Sequence, residues 1–306
     1  MINFKNRNII SIRDFTREEI LYILKTAKKF KQKSYPTLLQ NKILASLFFE
    51  PSTRTRFSFE SAMERLGGSV ISLAEAKVSS SAKGEILSDA IKIVEKYCDV
   101  IAMRHSHEGS ARLASEVTDN PILNGGDGAN QHPTQTFLDL FSILETQGKL
   151  SGLNVALVGD LKFGRTTHSL AYALAMFRAK LYFISPKSLQ MPRHVIEELK
   201  KVKAKYTILQ QPEKIMPKLD IFYATRIQKE RFPDPLAYEK VKDIYVITNK
   251  LLKKVKKSFK ILHPLPRVNE INYEVDNTPY AYYFEQANNG LYVRQALLAL
   301  VLGAIK

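Results

Sequence analysis

Ile43-Leu44-Ala45-Ser46-Leu47-Phe48-Phe49 runs directly into Glu50-Pro51-Ser52-Thr53-Arg54-Thr55-Arg56-Phe57-Ser58-Phe59. The first part is a continuous apolar run of strand length, buried on both faces as parallel strands are. Beyond the turn, Phe59, Ala62, Met63 and Leu66 recur at helical spacing, and Gly67-Gly68 ends the pattern. The hydroxyl and guanidinium groups that follow Pro51 therefore sit on a turn from strand to helix. The first N–H groups of a helix have no internal partner, and the dipole there favours negative charge. Ser52 is placed to cap that helix. Arg54 or Arg56 can add a planar donor fork that fits a phosphate. The stretch reads as an anion cradle aimed at a phosphate. The competing reading is an ordinary capped helix with two surface arginines.

The same strand-to-helix logic repeats along the chain. Ahead of the cradle, Asp14 or Thr16 starts a helix with Glu18 and Glu19 in its first turn and Ile20, Ile23, Leu24 and Ala27 on one face. After it, Val70-Ile71-Ser72-Leu73 is a short strand, and Val78-Ser79-Ser80-Ser81-Ala82-Lys83-Gly84-Glu85 is a small, polar connection. That connection is either a plain loop or a flap carrying hydroxyls and a cation onto a ligand. A helix containing Ile86, Ala90, Ile91 and Val94 follows. Tyr97 to Met103 is an apolar strand that delivers Arg104 at its carboxyl end, where open α/β sheets gather their ligand-binding groups. His105 and His107 lack the further ligands a metal site needs. Pro121-Ile122-Leu123-Asn124 is a strand, followed by a glycine-rich loop over residues 125–130. His132-Pro133-Thr134-Gln135 then leads into another helix.

A second α/β unit begins after residues 148–152. Asn154-Val155-Ala156-Leu157-Val158 is a strand, and the following turn carries glycines at 159 and 164 only, which fails the dinucleotide fingerprint. The turn instead presents Arg165 at a helix start. Further strands are Leu181 to Ile184, Ile221 to Ala224, Tyr245 to Ile247 and Lys260 to Leu262. The second of these delivers Arg226, Gln228 and Arg231. The last ends in His263-Pro264-Leu265-Pro266-Arg267, where two prolines fix a turn. The final twenty residues are an apolar helix that packs back on the first domain. The expected fold is α/β, with two doubly wound domains, each a mostly parallel sheet flanked by helices. The first domain spans residues 1–133, completed by helix 287–306, and the second spans 134–286.

Composition narrows the class. The chain has 306 residues, 45% hydrophobic and 25% charged, enough for two cored domains. Its single cysteine, Cys98, excludes an internal disulfide framework, suits a reducing compartment, and reads as a small buried hydrophobe. Charges at Lys5, Arg7, Arg13 and Asp14 argue against a signal peptide, and no apolar run approaches a membrane span. The expected location is the cytoplasm. A net charge of +16 fits either a nucleic-acid partner or lysine-rich helix faces such as 197–203 and 250–257. No zinc-finger, helix-turn-helix or RNA-binding strand signature supports the former. The polar landmarks would bind several anionic groups and polarise a carbonyl. They include no serine triad, nucleophilic cysteine, carboxylate pair or metal cluster, and no cofactor is expected.

Ser52-Thr53-Arg54-Thr55-Arg56 together with His132-Pro133-Thr134-Gln135 resembles the shared signature of the aspartate and ornithine carbamoyltransferase family. Arg226-Ile227-Gln228 and His263-Pro264-Leu265-Pro266-Arg267 are similar to its aspartate branch. Ornithine enzymes are known for a cysteine at the place held here by Pro264. The resemblance runs from about residue 8 to the end. It implies carbamoyl transfer from carbamoyl phosphate to L-aspartate in pyrimidine biosynthesis, with another amino acid such as ornithine as the alternative acceptor. It implies a phosphate held by Ser52, Thr53, Arg54 and Thr55, and a carbonyl oxygen facing Thr55, Arg104 and His132. Gln135 and the carbonyls of Leu265 and Pro266 would hold the carbamoyl amide. Arg165 would meet the α-carboxylate of aspartate, and Arg226 and Gln228 its side-chain carboxylate. The resemblance also implies a homotrimer with shared sites, in which a neighbouring chain donates Ser79 and Lys83; the serine run leaves Ser79, Ser80 and Ser81 open as the donor. Glu50, Arg165 and Arg231 match residues that bridge the domains when the family closes on its substrates. A separate regulatory chain is a possible partner.

Overall fold

Short apolar runs separated by helices pair most readily in parallel, because each return to the same sheet edge needs a crossover of helix length. The computed structural model, which describes residues 2–73, 84–232 and 234–305, contains two such sheets, of four and five strands, with every named pair parallel. The chain divides into two units, Met1–Phe141 with Asn288–Lys306, and Ser142–Ala287.

In the first unit, α1 (Arg17–Gln32) starts at Thr16. Its hydroxyl accepts from the Glu19 N–H at 3.2 Å, and the Glu19 carboxylate accepts from the Thr16 N–H at 2.8 Å. This reciprocal pair satisfies donors that the helix itself cannot. Then come β1 (Ile43–Phe48), α2 (Thr53–Glu64), β2 (Ser69–Leu73), α3 (Leu87–Val94), β3 (Val100–His105), α4 (Ser110–Glu116) and β4 (Ile122–Asp127). Phe59, Ala62, Met63 and Leu66 are fully buried, as their spacing predicts. The chain leaves this unit within α5 (Pro133–Gln147) and returns within α9 (Tyr283–Val301). The second unit holds β5 (Asn154–Val158), α6 (Arg165–Met176), β6 (Lys180–Ile184), α7 (Arg193–Lys201), β7 (Lys205–Leu209), β8 (Ile221–Ala224), α8 (Pro235–Glu239) and β9 (Lys260–Leu262).

The strand orders place the functional loops. The first sheet runs β2-β1-β3-β4 and the second β7-β6-β5-β8-β9. In each, the chain winds outward from an inner strand, then returns to wind the other way. The reversals fall between β1 and β3 and between β5 and β8. Loops leaving such adjacent strands diverge to opposite faces and open a crevice beyond their carboxyl ends. Residues 49–52, 159–164 and 225–228 follow β1, β5 and β8.

Several expectations need correction. Tyr245 to Ile247 is not a strand: the place beside β8 is taken by β9, and Ile247 makes only an isolated bridge to Ile271. The lysine-rich stretch 250–257 is not a helical face but one 3-10 turn, Leu251–Lys254, with Leu252 buried. β4 continues through Gly125 and Gly126 to Asp127 where a loop was expected. A side chain at Gly125 would sit 3.1 Å from the Met103 carbonyl oxygen and 3.4 Å from Thr55 Cγ2, so that strand position requires the smallest residue. β7 went unpredicted because Lys205 and Thr207 break its apolar character; as an edge strand it buries little. Cys98 is half-buried, its thiol donating to the Val94 carbonyl, and burial pushes its pKa up to about 11.

Two substitutions measure these local forces. Thr16→Ala removes one cap and should cost about 1 kcal/mol in urea denaturation. Gly159 has φ +113, and a Cβ there would lie 2.2 Å from the Thr225 carbonyl oxygen. Gly159→Ala should therefore cost well over about 2 kcal/mol by the same measurement.

Candidate functional site

In the first unit, β1 ends one turn before α2, and the parallel register places Phe48 beside Arg104 of β3. The first bond that closes α2 is Arg56 N–H to the Ser52 carbonyl, at 3.3 Å. The amides of Thr53, Arg54 and Thr55 precede it and face the end of the helix, where its dipole is positive. Ser52 occupies the N-cap position, but its side chain makes no capping bond. Its hydroxyl accepts instead from Arg104 Nη1 at 3.4 Å, while Arg104 Nε donates to Glu50 Oε2 at 2.8 Å. Burial pushes the Arg104 guanidinium pKa down, and the Glu50 charge opposes that shift. So Glu50, Ser52 and Arg104 form one connected cluster, with Glu50 here a partner of Arg104.

Of the two cradle arginines, Arg56 turns along its own helix: its Nε lies 3.5 Å from Glu60 Oε1, and its guanidinium stacks over Phe57. Thr53 and Arg54 are exposed, and Thr55 is buried against the space left by Gly125. His132 and Gln135 are both buried at the start of α5. The His132 carbonyl accepts from the Gln135 and Thr136 N–H groups, and its Nδ1 lies 3.5 Å from Thr134 Oγ1. Gln135 Nε2 donates to Asp139 Oδ1 at 2.9 Å.

The loop before His132 is organised by Asp127, which is 1% exposed. Its carboxylate accepts from the Gly109 and Gln131 N–H groups and from the Asn124 and Asn130 amides, at 2.9 to 3.0 Å. His105 Nδ1 accepts from the His107 N–H at 3.1 Å and lies 3.0 Å from Ser110 Oγ. Among the described residues no group of three or more His, Cys, Asp or Glu could hold a metal ion.

In the second unit, Asp160 is fully buried between two loops. It accepts from the Phe163 N–H at 3.0 Å and from the Gln228 N–H at 3.4 Å. Burial raises its carboxyl pKa, opposed by those N–H groups and, more weakly, by the Arg226 charge. Arg165 opens α6 immediately after Gly164. Asp160 thereby ties the turn carrying Arg165 to the loop carrying Arg226 and Gln228, and all three are half-buried. Arg231, also half-buried, ends the short 3-10 turn after Gln228.

The turn after β9 is held from both ends. The Leu265 N–H donates to His263 Nδ1 at 2.8 Å, which leaves the hydrogen of the neutral ring on Nε2, 2.7 Å from Glu270 Oε1. Burial lowers the His263 pKa, opposed by Glu270 beside it. The other Glu270 oxygen accepts from the Val268 and Asn269 N–H groups, and the Leu265-Pro266 peptide inside this ring is cis.

Asp127, Asp139, Asp160 and Glu270 were not singled out in the sequence, since a lone acid carries no spacing signal. Arg294 was missed because it lies inside an apolar helix. Ser79, Ser80, Ser81 and Lys83 lie outside the described residues. No helix among the described residues is long and apolar enough to cross a membrane.

Cradle, polar turn and paired arginines thus occur in the order the resemblance requires, and the whole chain carries the match. Residues 7–145 match the description "Aspartate/ornithine carbamoyltransferase, carbamoyl-P binding domain", and residues 151–301 match "Aspartate/ornithine carbamoyltransferase, Asp/Orn binding domain". The aspartate carbamoyltransferase catalytic subunit of Methanopyrus kandleri is 54% identical over 307 residues, covering 99% of each chain. The solved catalytic subunit of M. jannaschii aspartate transcarbamoylase superposes with a TM-score of 0.89 at 51% identity, covering 95% of this chain and 96% of that one. The Trypanosoma cruzi aspartate transcarbamoylase solved with carbamoyl phosphate and aspartate gives a TM-score of 0.91 at 38% identity, covering 98% of both. With both domains matched in sequence and the fold matched along nearly its full length, this chain belongs to the aspartate/ornithine carbamoyltransferase family.

Proposed function

We propose that this chain transfers the carbamoyl group of carbamoyl phosphate to the α-amino group of L-aspartate, giving N-carbamoyl-L-aspartate and phosphate, in pyrimidine biosynthesis. The observation that carries the reading is the first turn of α2, where helix amides and hydroxyls stand beside an Arg104 held by Glu50 and Ser52. The names of its full-length relatives support the same activity.

In this reading the first unit binds carbamoyl phosphate. The phosphate lies on Ser52, Thr53, Arg54 and Thr55, where amides and the positive helix end offset its charge. Thr55, Arg104 and His132 direct donors at the carbonyl oxygen. As the amine adds to the carbonyl carbon, the C=O electrons move to that oxygen, and one preorganised donor is worth about 3 kcal/mol of barrier. The tetrahedral intermediate collapses by breaking the carbon–oxygen bond to phosphate. The departing phosphate takes the proton lost by the amine, so no protein base is required. Gln135 and the carbonyls of Leu265 and Pro266 accept from the carbamoyl NH2. The second unit binds aspartate, with Arg165 on its α-carboxylate and Arg226 and Gln228 on its side-chain carboxylate. Glu50 exchanges Arg104 for Arg165 and Arg231 when the substrates are enclosed.

The reading extends to a cytoplasmic homotrimer in which a neighbouring copy supplies Ser79 and Lys83. Large apolar side chains of the first unit stay exposed in the single chain: Phe57, Ile71, Ile86, Ile93 and Tyr97. Some lie on the edge strand β2 and on α3, either side of the sequence that carries Ser79 and Lys83, as an interface between copies requires.

Arg54→Ala should lower kcat about 100- to 1000-fold, the range for losing one transition-state donor, while far-UV circular dichroism stays unchanged. Near-normal turnover would count against the cradle. Arg226→Ala should raise the aspartate KM with little change in carbamoyl phosphate affinity, measured by direct binding. Parallel assays with aspartate and ornithine separate the acceptors: transfer to ornithine in place of aspartate contradicts the assignment.

A further inference from the structure

Gln135 can hold a carbamoyl NH2 only with its oxygen, because its own NH2 group is a donor and would repel another donor. Which end of a glutamine amide faces a ligand is decided by what grips the other end. Here that grip is Asp139, one helical turn on, whose Oδ1 lies 2.9 Å from Gln135 Nε2. An ionised carboxylate has no hydrogen to give, so it accepts only the NH2 end and leaves Oε1 for the ligand.

A positive neighbour favours the ionised form of a fully buried carboxylate such as Asp139. Arg294 supplies it from α9. The residue is 2% exposed, and its guanidinium donates to Thr134 Oγ1 at 3.3 Å and stacks 4.9 Å from the Phe59 ring centre. Burial pushes the Arg294 pKa down to about 9, and the charge of Asp139 opposes that shift. Gly290 makes room for it, since a Cβ there would stand 2.5 Å from Arg294 Nη1. Arg294 therefore lies between Phe59 of α2 and Thr134 in the first turn of α5.

We infer that Asp139 and Arg294 are positioning residues that lock the Gln135 amide with its oxygen toward the carbamoyl nitrogen, so that the site selects a carbamoyl over an acyl phosphate. This rests on the reading of Gln135 as acceptor for the carbamoyl NH2. Asp139→Asn keeps the shape but offers both a donor and an acceptor, so the Gln135 amide is free to turn over.

The test compares the affinity of the full-length protein for carbamoyl phosphate and for acetyl phosphate, which carries a methyl in place of the NH2. Asp139→Asn should weaken carbamoyl phosphate about tenfold, the scale of one mispaired hydrogen bond, and acetyl phosphate and inorganic phosphate less than about twofold. Loss of general structure would weaken all three ligands together and overturn the inference. Gln135→Ala separates the two layers. If it abolishes the carbamoyl preference and Asp139→Asn does not, the positioning role fails while the reading of Gln135 stands. If Gln135→Ala leaves the preference intact, that reading fails and takes the positioning role with it. Should Asp139→Asn alone not fold, the double variant Asp139→Asn/Arg294→Met removes the stranded cation as well, and it should show the same selective loss.

Discussion

A helix cannot satisfy its own first amides, and a parallel strand that ends just before a helix aims those amides past the edge of the sheet. That constraint shapes both units of this chain. β1 hands the chain to α2 across residues 49–52, and β5 hands it to α6 across residues 159–164. In each case the helix lies beside the strand pair at which the winding direction reverses. The charged and hydroxyl side chains gathered there extend what the backbone already offers to an anion. The cradle at Ser52 to Thr55 and the arginine at the start of α6 are two uses of one geometry.

Buried acids hold the loops around these helix starts. Asp127 collects four donors and Asp160 binds two loops through their backbone amides, while Glu270 clips the turn after β9. Each carboxylate is out of water, so each depends on the donors it receives, and removing one partner leaves an expensive buried charge. This is how these loops keep a fixed shape. Asp139 with Arg294 applies the same device to a side chain instead of a loop. The apolar core beneath, with Leu44, Phe48, Phe59 and Met63 fully or almost fully buried, keeps the strand ends themselves in register.

Periodicity made most of the sheet legible. β1, β5 and β8 are apolar and buried on both faces, so their runs stand out against polar turns. Edge position hid β7, which carries an exposed lysine and threonine and has no fully buried residue. The apolar triplet ending at Ile247 looked like a strand because nothing local says that β9 already occupies that edge. Gly125 and Gly126 read as a loop because glycine usually marks one; only the approach of Thr55 and the Met103 carbonyl explains them inside β4. The candidate site residues stood out because hydroxyls and arginines cluster in short motifs. Asp139 and Arg294, 155 positions apart in the numbering, become neighbours only when α9 returns to the first unit.

A crystal structure with a molecule that joins a phosphonate to aspartate through an amide tests whether the first turn of α2 holds the phosphoryl group. The phosphonate should lie on the amides and hydroxyls of residues 52–55, the carbonyl oxygen within hydrogen-bond reach of Thr55, Arg104 and His132, and the side-chain carboxylate on Arg226 and Gln228. A phosphonate bound away from the first turn of α2, or a carboxylate that meets neither Arg226 nor Gln228, would contradict it.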